Sequence, residues 1–251
     1  MSGFLVVYSI AKMKVKDRLI YYNGLVGLGG DRLATLFRFQ TKPNSDYPQI
    51  YHPHDSLLNH KSRLLRETKL WLSDIISPED ILEIQHILVC HDVQELMDGD
   101  ISRFTEVEID QIGGTDQLLL SEDAVRYKDF LSAQNFLEKG TAELPTSPHS
   151  LIARILDTID GNYFAFALLA NYATKVGGET LDPNLQTSLD RSYSYVNKVR
   201  AKYRKKIILV AGIYSLDLLG VLYHLQQIEK EALEKFTREI EKHGYRIAEV
   251  V

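Results

Sequence analysis

Apolar residues recur three and four places apart along most of this chain, which is the period of an α-helix. In "DSLLNHKSRLLRETKLWLSDII", Leu57, Leu64, Leu65, Trp71, Leu72 and Ile75 fall near one stripe, and Asp55 or Ser56 supplies a start signal. "SPED" opens the next helix: Ser77 caps it, Pro78 fits its first turn and Asp80 completes a capping box. That helix reads on through "ILEIQHILVCHDVQELM" to near Gly99. A polar loop or lid, "EVEIDQIGGTDQ", follows. Helical periodicity resumes over 121–139, breaks at "GTAELPTSP", and returns in a long helix over about 148–174. After "VGGETLDPN" come two final helices, about 184–204 and 206–243. Residues 1 to about 20 fit helix or strand equally, and "QTKPNSDYPQIYHPHDS" reads as loop. No strand pattern alternates with these helices, so the expected fold is all-α, a single domain over 1–251.

Composition narrows the field. The chain is 45% apolar and 25% charged, ordinary for a globular protein with a core that needs no staples. Cys90 is its one cysteine, so no intrachain disulfide forms and a reducing, cytoplasmic compartment is expected. A net charge of -5 argues against a dedicated nucleic-acid binder. "KIILVAGIYSLDLLGVLYHL" is nearly long enough to span a bilayer, but Asp217 sits near its middle, so a buried helix explains it better. The basic run "KVRAKYRKK" before it reads as a solvated face, with an anionic partner as the alternative. "YNGLVGLGGDRLATLFRF" lacks the ending of a phosphate loop.

The stretch "VCHDVQELMDGDI", residues 89–101, places six polar or charged side chains in an apolar neighbourhood. Such a group is costly to bury without compensation. His60 lies on the preceding helix and Asp157 on a later one. Three helices therefore offer His60, then His91 with Asp92, then Asp157, a donor set that suits a borderline-to-hard divalent ion. Asp160, three residues on, competes with Asp157. Neighbours on a helix do not share a face, so His91 and Asp92 would have to reach round a crowded junction. Glu95, four residues after His91, falls on its face.

His60, then "HDVQE" with "GDI" following, then "RILDTIDGN", resembles the HD-domain metal-dependent phosphohydrolases. Within them the pattern is most similar to the 5'-deoxynucleotidase branch. The resemblance covers about 55–172, the HD-like helical bundle, and leaves a C-terminal helical extension over about 184–245. It implies one divalent metal ion (Mn, Co, Fe, Ni, Zn or Mg) held by His60, His91, Asp92 and Asp157. It makes Glu95 the catalytic glutamate and Asp100 the aspartate of the Gly-Asp pair, which binds a sugar hydroxyl or buttresses a ligand. Where that branch has an Arg-Trp pair, this chain has Arg38 and Phe39. Arg38, Lys61 and Arg63 are the candidates for holding phosphate. The implied protein is a homodimer that hydrolyses a small phosphate substrate, a nucleotide or related phosphomonoester, with no polymeric nucleic acid and no membrane. The alternative is a catalytically inactive HD fold that binds a nucleotide or a protein.

Other chemistry-bearing residues carry plainer readings. His52 and His54 are loop histidines, His86 is structural, and Cys90 is a small buried filler. Ser147 and His149 lack the partner spacing of a serine nucleophile.

Overall fold

Ser56 starts the first helix by accepting the Asn59 N–H at 3.2 Å, one of the donors a helix start leaves unpaired. In the computed structural model, which describes residues 14–15, 17–18, 56–92, 121–141, 143–176 and 183–247, α1 then runs Leu57–Leu72. Its inward stripe is Leu57, His60, Lys61, Leu64, Glu67, Thr68 and Leu72. Ile75, expected on that stripe, lies past the helix end and is exposed. The buried face is thus less than half apolar, because His60, Lys61, Glu67 and Thr68 occupy positions where the period alone would want leucine.

Ser77 starts α2, Pro78–Cys90. Its hydroxyl accepts the Asp80 N–H at 3.1 Å and donates to the Asp80 carboxylate at 2.7 Å, while Pro78 fills the first turn. Ile81, Ile84, Ile87 and Leu88 are buried, and α1 packs on α2. The expected continuation to Gly99 is not followed: α2 stops at Cys90, and residues 93–120 lie outside the described set.

The third helix, α3, spans Ser121–Gln134 and ends in a π-helical turn, Asn135–Lys139. Gly140 closes it at φ 79°, a conformation open to glycine, with its N–H bonded to the Asn135 carbonyl at 2.9 Å. The break expected at "GTAELPTSP" begins there. The fourth helix, α4, spans Pro148–Val176. Ser147 sits just before it, accepting the His149 N–H at 3.2 Å, so the Ser147–His149 pair serves a helix start.

The last two helices differ from expectation in their boundary. The fifth, α5, spans Pro183–Val210 and α6 spans Leu218–Glu241. The break falls at 211–217 rather than at 205. The basic run therefore continues in one helix with the first residues of the apolar run. Asp217, placed mid-helix by the sequence reading, is the N-cap of α6 and accepts the Gly220 N–H at 2.9 Å. A Cβ at Gly220 would collide with that capping carboxylate.

Among the described residues all regular structure is helical, an all-α fold. No helix there is long and apolar enough to cross a membrane. The described residues form two compact units, one up to Ala133 and one from Gln134 onward. In the first, the Arg126 guanidinium grips Glu83 of α2 at 2.7 and 3.0 Å and bonds Asp123 at 3.1 Å. Asp123, almost fully buried, also pairs with buried Arg18. In the second, α4, α5 and α6 pack on one another. Phe166, Leu169, Leu189, Val196, Leu233 and Ile240 are among the residues of their shared core.

Two measurements test this arrangement. Asp217→Ala removes the α6 cap and lowers unfolding free energy by about 1 kcal/mol in urea titration. The second concerns His86, on α2 near the arginine network. Burial, then the charges of Arg126 and Arg18, push its pKa down. The unfolded imidazole titrates near 6.5, so just below that pH the unfolded state binds the extra proton and acid favours unfolding. Stability from this site is therefore full above pH 6.5 and falls as pH drops below it. His86→Gln should flatten the stability–pH curve in that window; an unchanged slope would assign the acid sensitivity elsewhere.

Candidate metal site

The last turn of a helix leaves its final carbonyls without intrahelical partners. At the end of α2, three of them are met by side chains. The Cys90 thiol donates to the Ile87 carbonyl at 3.2 Å. His91 Nδ1 lies 2.8 Å from the Leu88 carbonyl. Lys61 Nζ, from α1, donates to the Val89 carbonyl at 2.9 Å. These three carbonyls are satisfied where the chain leaves the helix at His91.

That exit resolves the geometric difficulty of a His-Asp pair. His91 and Asp92 are turn residues, not adjacent positions on a helix, so both side chains serve one point. His91 Nε2 lies 2.9 Å from Asp92 Oδ2 and 3.3 Å from His60 Nε2. His60 Nε2 lies 3.4 Å from Asp92 Oδ2. Donor atoms each about 2.1 Å from a common ion stand about 3.0 Å apart along an octahedral edge and about 3.4 Å apart in a tetrahedron. The three observed separations fall in or next to that span. His60 and His91 also belong to a buried group of side chains able to hold a metal ion.

The hydrogen bond at Nδ1 carries a further consequence. A carbonyl oxygen only accepts, so His91 Nδ1 bears the hydrogen. In the neutral ring, Nε2 then holds a lone pair facing the Asp92 carboxylate, another acceptor. The pair calls for a cation at that point, either a proton on Nε2 or a metal ion. The Phe130 ring stands edge-on to His91 at 5.2 Å between centroids, an apolar neighbour on the same unit.

Electrostatics agree with a cation site. Burial pushes the Asp92 carboxyl up, but the charges of His91 and Lys61 and hydrogen bonds from His91 and His60 outweigh it. The carboxyl is held well below the usual carboxylate range. The neighbouring Cys90 thiol is fully buried, and that burial pushes its pKa up to about 12.

The remaining expected site residues are placed as follows. Lys61, expected at substrate phosphate, is completely buried and bonded to backbone. It is a brace for the helix end, a role that sequence reasoning missed although its place on the Leu57–Leu64 stripe signalled burial. Arg63 is half-buried on α1. Asp157 belongs to the second unit, on α4, where it is buried and paired with Arg154 one turn earlier. Arg154 also pairs with Glu138, which accepts the Tyr203 hydroxyl at 3.2 Å. Asp160 is completely buried on the same helix. Arg38, Glu95 and Asp100 lie outside the described residues, as do His52 and His54.

In comparisons with protein-family models, curated proteins and solved structures, nothing matches this chain. The site therefore stands on its own geometry.

The Lys61 brace is open to test. Lys61→Met keeps the volume of the stem but leaves the Val89 carbonyl unmet and removes one of the charges that hold Asp92 ionised. Unfolding free energy should fall by about 1–3 kcal/mol in denaturant titration. A change within error would mean that the carbonyl is satisfied otherwise.

Proposed function

We propose that this chain is a divalent-metal-dependent phosphohydrolase acting on a nucleotide or related phosphomonoester. The observation that carries the reading is the convergence of His60 Nε2, His91 Nε2 and Asp92 Oδ2 within 3.4 Å of one another at a buried helix end. The ligand order His…His-Asp…Asp supports it, with Asp157 as the proposed fourth ligand. So does the HD-domain pattern of "HDVQELMDGDI".

In this reading the chain's own residues divide the work. His60 and His91 bind through Nε2, and Asp92 adds the negative charge that favours a dication over a proton. The Leu88 carbonyl fixes the His91 ring in the tautomer that leaves Nε2 free to ligate. Lys61 holds the turn in place without reaching the substrate. A bound divalent ion supplies Lewis acidity toward water and toward a phosphoryl oxygen. Glu95 orients the attacking water and takes its proton. Arg38 and Arg63 hold the phosphate, and Asp100 engages the sugar. The last four roles rest on the resemblance in sequence.

The test is metal binding and turnover together. Mn, Co or Zn at a hundredfold excess over Kd should stabilise the protein by about 2.7 kcal/mol, read as a rise in Tm. His91→Ala and Asp92→Ala should abolish that rise. Phosphate release from nucleoside monophosphates should fall in these variants by about a hundredfold or more. Metal binding without turnover by the wild-type chain would leave the binding-protein alternative; no metal binding would overturn the site itself.

A further inference from the structure

The second unit contains a cleft of about 510 Å³ between α5 and α6, far from neutral in character. Arg200 and Arg204 line it from α5, and Lys230 from α6. Asn197, Gln226 and Tyr223 add polar groups and an aromatic ring, and no acidic side chain lines it. Two of these cations come from the basic run that the metal site leaves without a role.

Each cation is positioned differently. Arg200 Nε donates at 2.5 Å to Glu229, a carboxylate 3% exposed that also accepts from Asn162 at 2.9 Å. This anchor fixes the guanidinium, yet its buried Nη2 has no hydrogen-bond partner among the described residues. Arg204 lies over the Tyr223 ring, 5.1 Å from its centroid. Its Nη2 is 3.4 Å from Gln226, a long contact that leaves most of its donors available. Lys230 approaches Glu234 only to 4.0 Å, with both side chains mostly exposed. Glu229 neutralises Arg200, and two positive charges remain at the cleft.

Together these point to an anion with several oxygens and more than one charge. Guanidinium groups meet phosphate oxygens in paired hydrogen bonds, and the cleft's volume is that of a small-molecule site. We propose that the α5–α6 cleft binds a small phosphorylated ligand carrying at least two negative charges, at a site of its own on the second unit. It does not depend on the proposed hydrolase reading.

Inorganic pyrophosphate is the probe, titrated calorimetrically into the full chain in EDTA so that metal-assisted binding or turnover is suppressed. Saturable binding is expected, weakening as salt rises. Arg204→Gln and Lys230→Gln, both changes at exposed side chains, should each weaken it by about tenfold or more, with melting curves unchanged. His91→Ala should bind pyrophosphate like the wild type. Absence of saturable binding overturns the proposal. So does wild-type affinity in either cleft variant, or loss of binding in His91→Ala. Tighter binding of single-stranded nucleic acid than of pyrophosphate would replace the small ligand with a polymer and overturn it as well.

Discussion

A lysine ammonium held against a backbone carbonyl governs the first unit. An unpaired charge is among the most expensive groups to bury. Lys61 is completely buried, and two groups make that tolerable: the Val89 carbonyl it bonds and the Asp92 carboxylate whose ionisation it favours. The bond crosses from α1 to the last turn of α2, so it ties the end of one helix to the side of the other. His60 is the residue next to Lys61, and His91 and Asp92 follow Val89 by two and three places. A single contact thus sets the register in which two imidazoles and a carboxylate meet.

Much of the fold was legible because helix boundaries are local chemistry. Ser56, Ser77 with Pro78, and Gly140 each mark an end by their own hydrogen bonding or backbone freedom, and the structure uses all three. Two boundaries were misread for one shared reason. At Cys90 and at Val210 the periodicity runs on past the real end. At the end of α2 the last carbonyls are taken by two local groups, the Cys90 thiol and the His91 imidazole, and by one tertiary group, the Lys61 ammonium. What restarts the chain after Val210 is the Asp217 cap, which the apolar pattern on both sides concealed.

The candidate site shows the same division. Residue types and order alone point to His60, His91 and Asp92 as one group, because a buried His-Asp pair needs a partner. Their common focus could not be read, since it depends on the chain leaving the helix between Cys90 and Asp92. The role of Lys61 was hidden by its charge, which suggests solvent or substrate. Only its position on the stripe of Leu57 and Leu64 argued otherwise. The α5–α6 cleft was half visible: the sequence displayed the basic run, and the fold supplied Lys230 and the buried Glu229 anchor.

The Lys61 contact also bears on which inherited changes this chain can accept. A slender ammonium donates to a single carbonyl in a closed space, and the broad planar group of arginine does not substitute for it. Loss of the lysine would leave Asp92 without part of what keeps it ionised, so an acid there would become a liability. Loss of Asp92 would strand a buried cation. Positions 61 and 92 are therefore linked in descent: in diverging copies they should be retained together or replaced together, and a copy keeping only one would mark a lineage in which the helix end had been rebuilt.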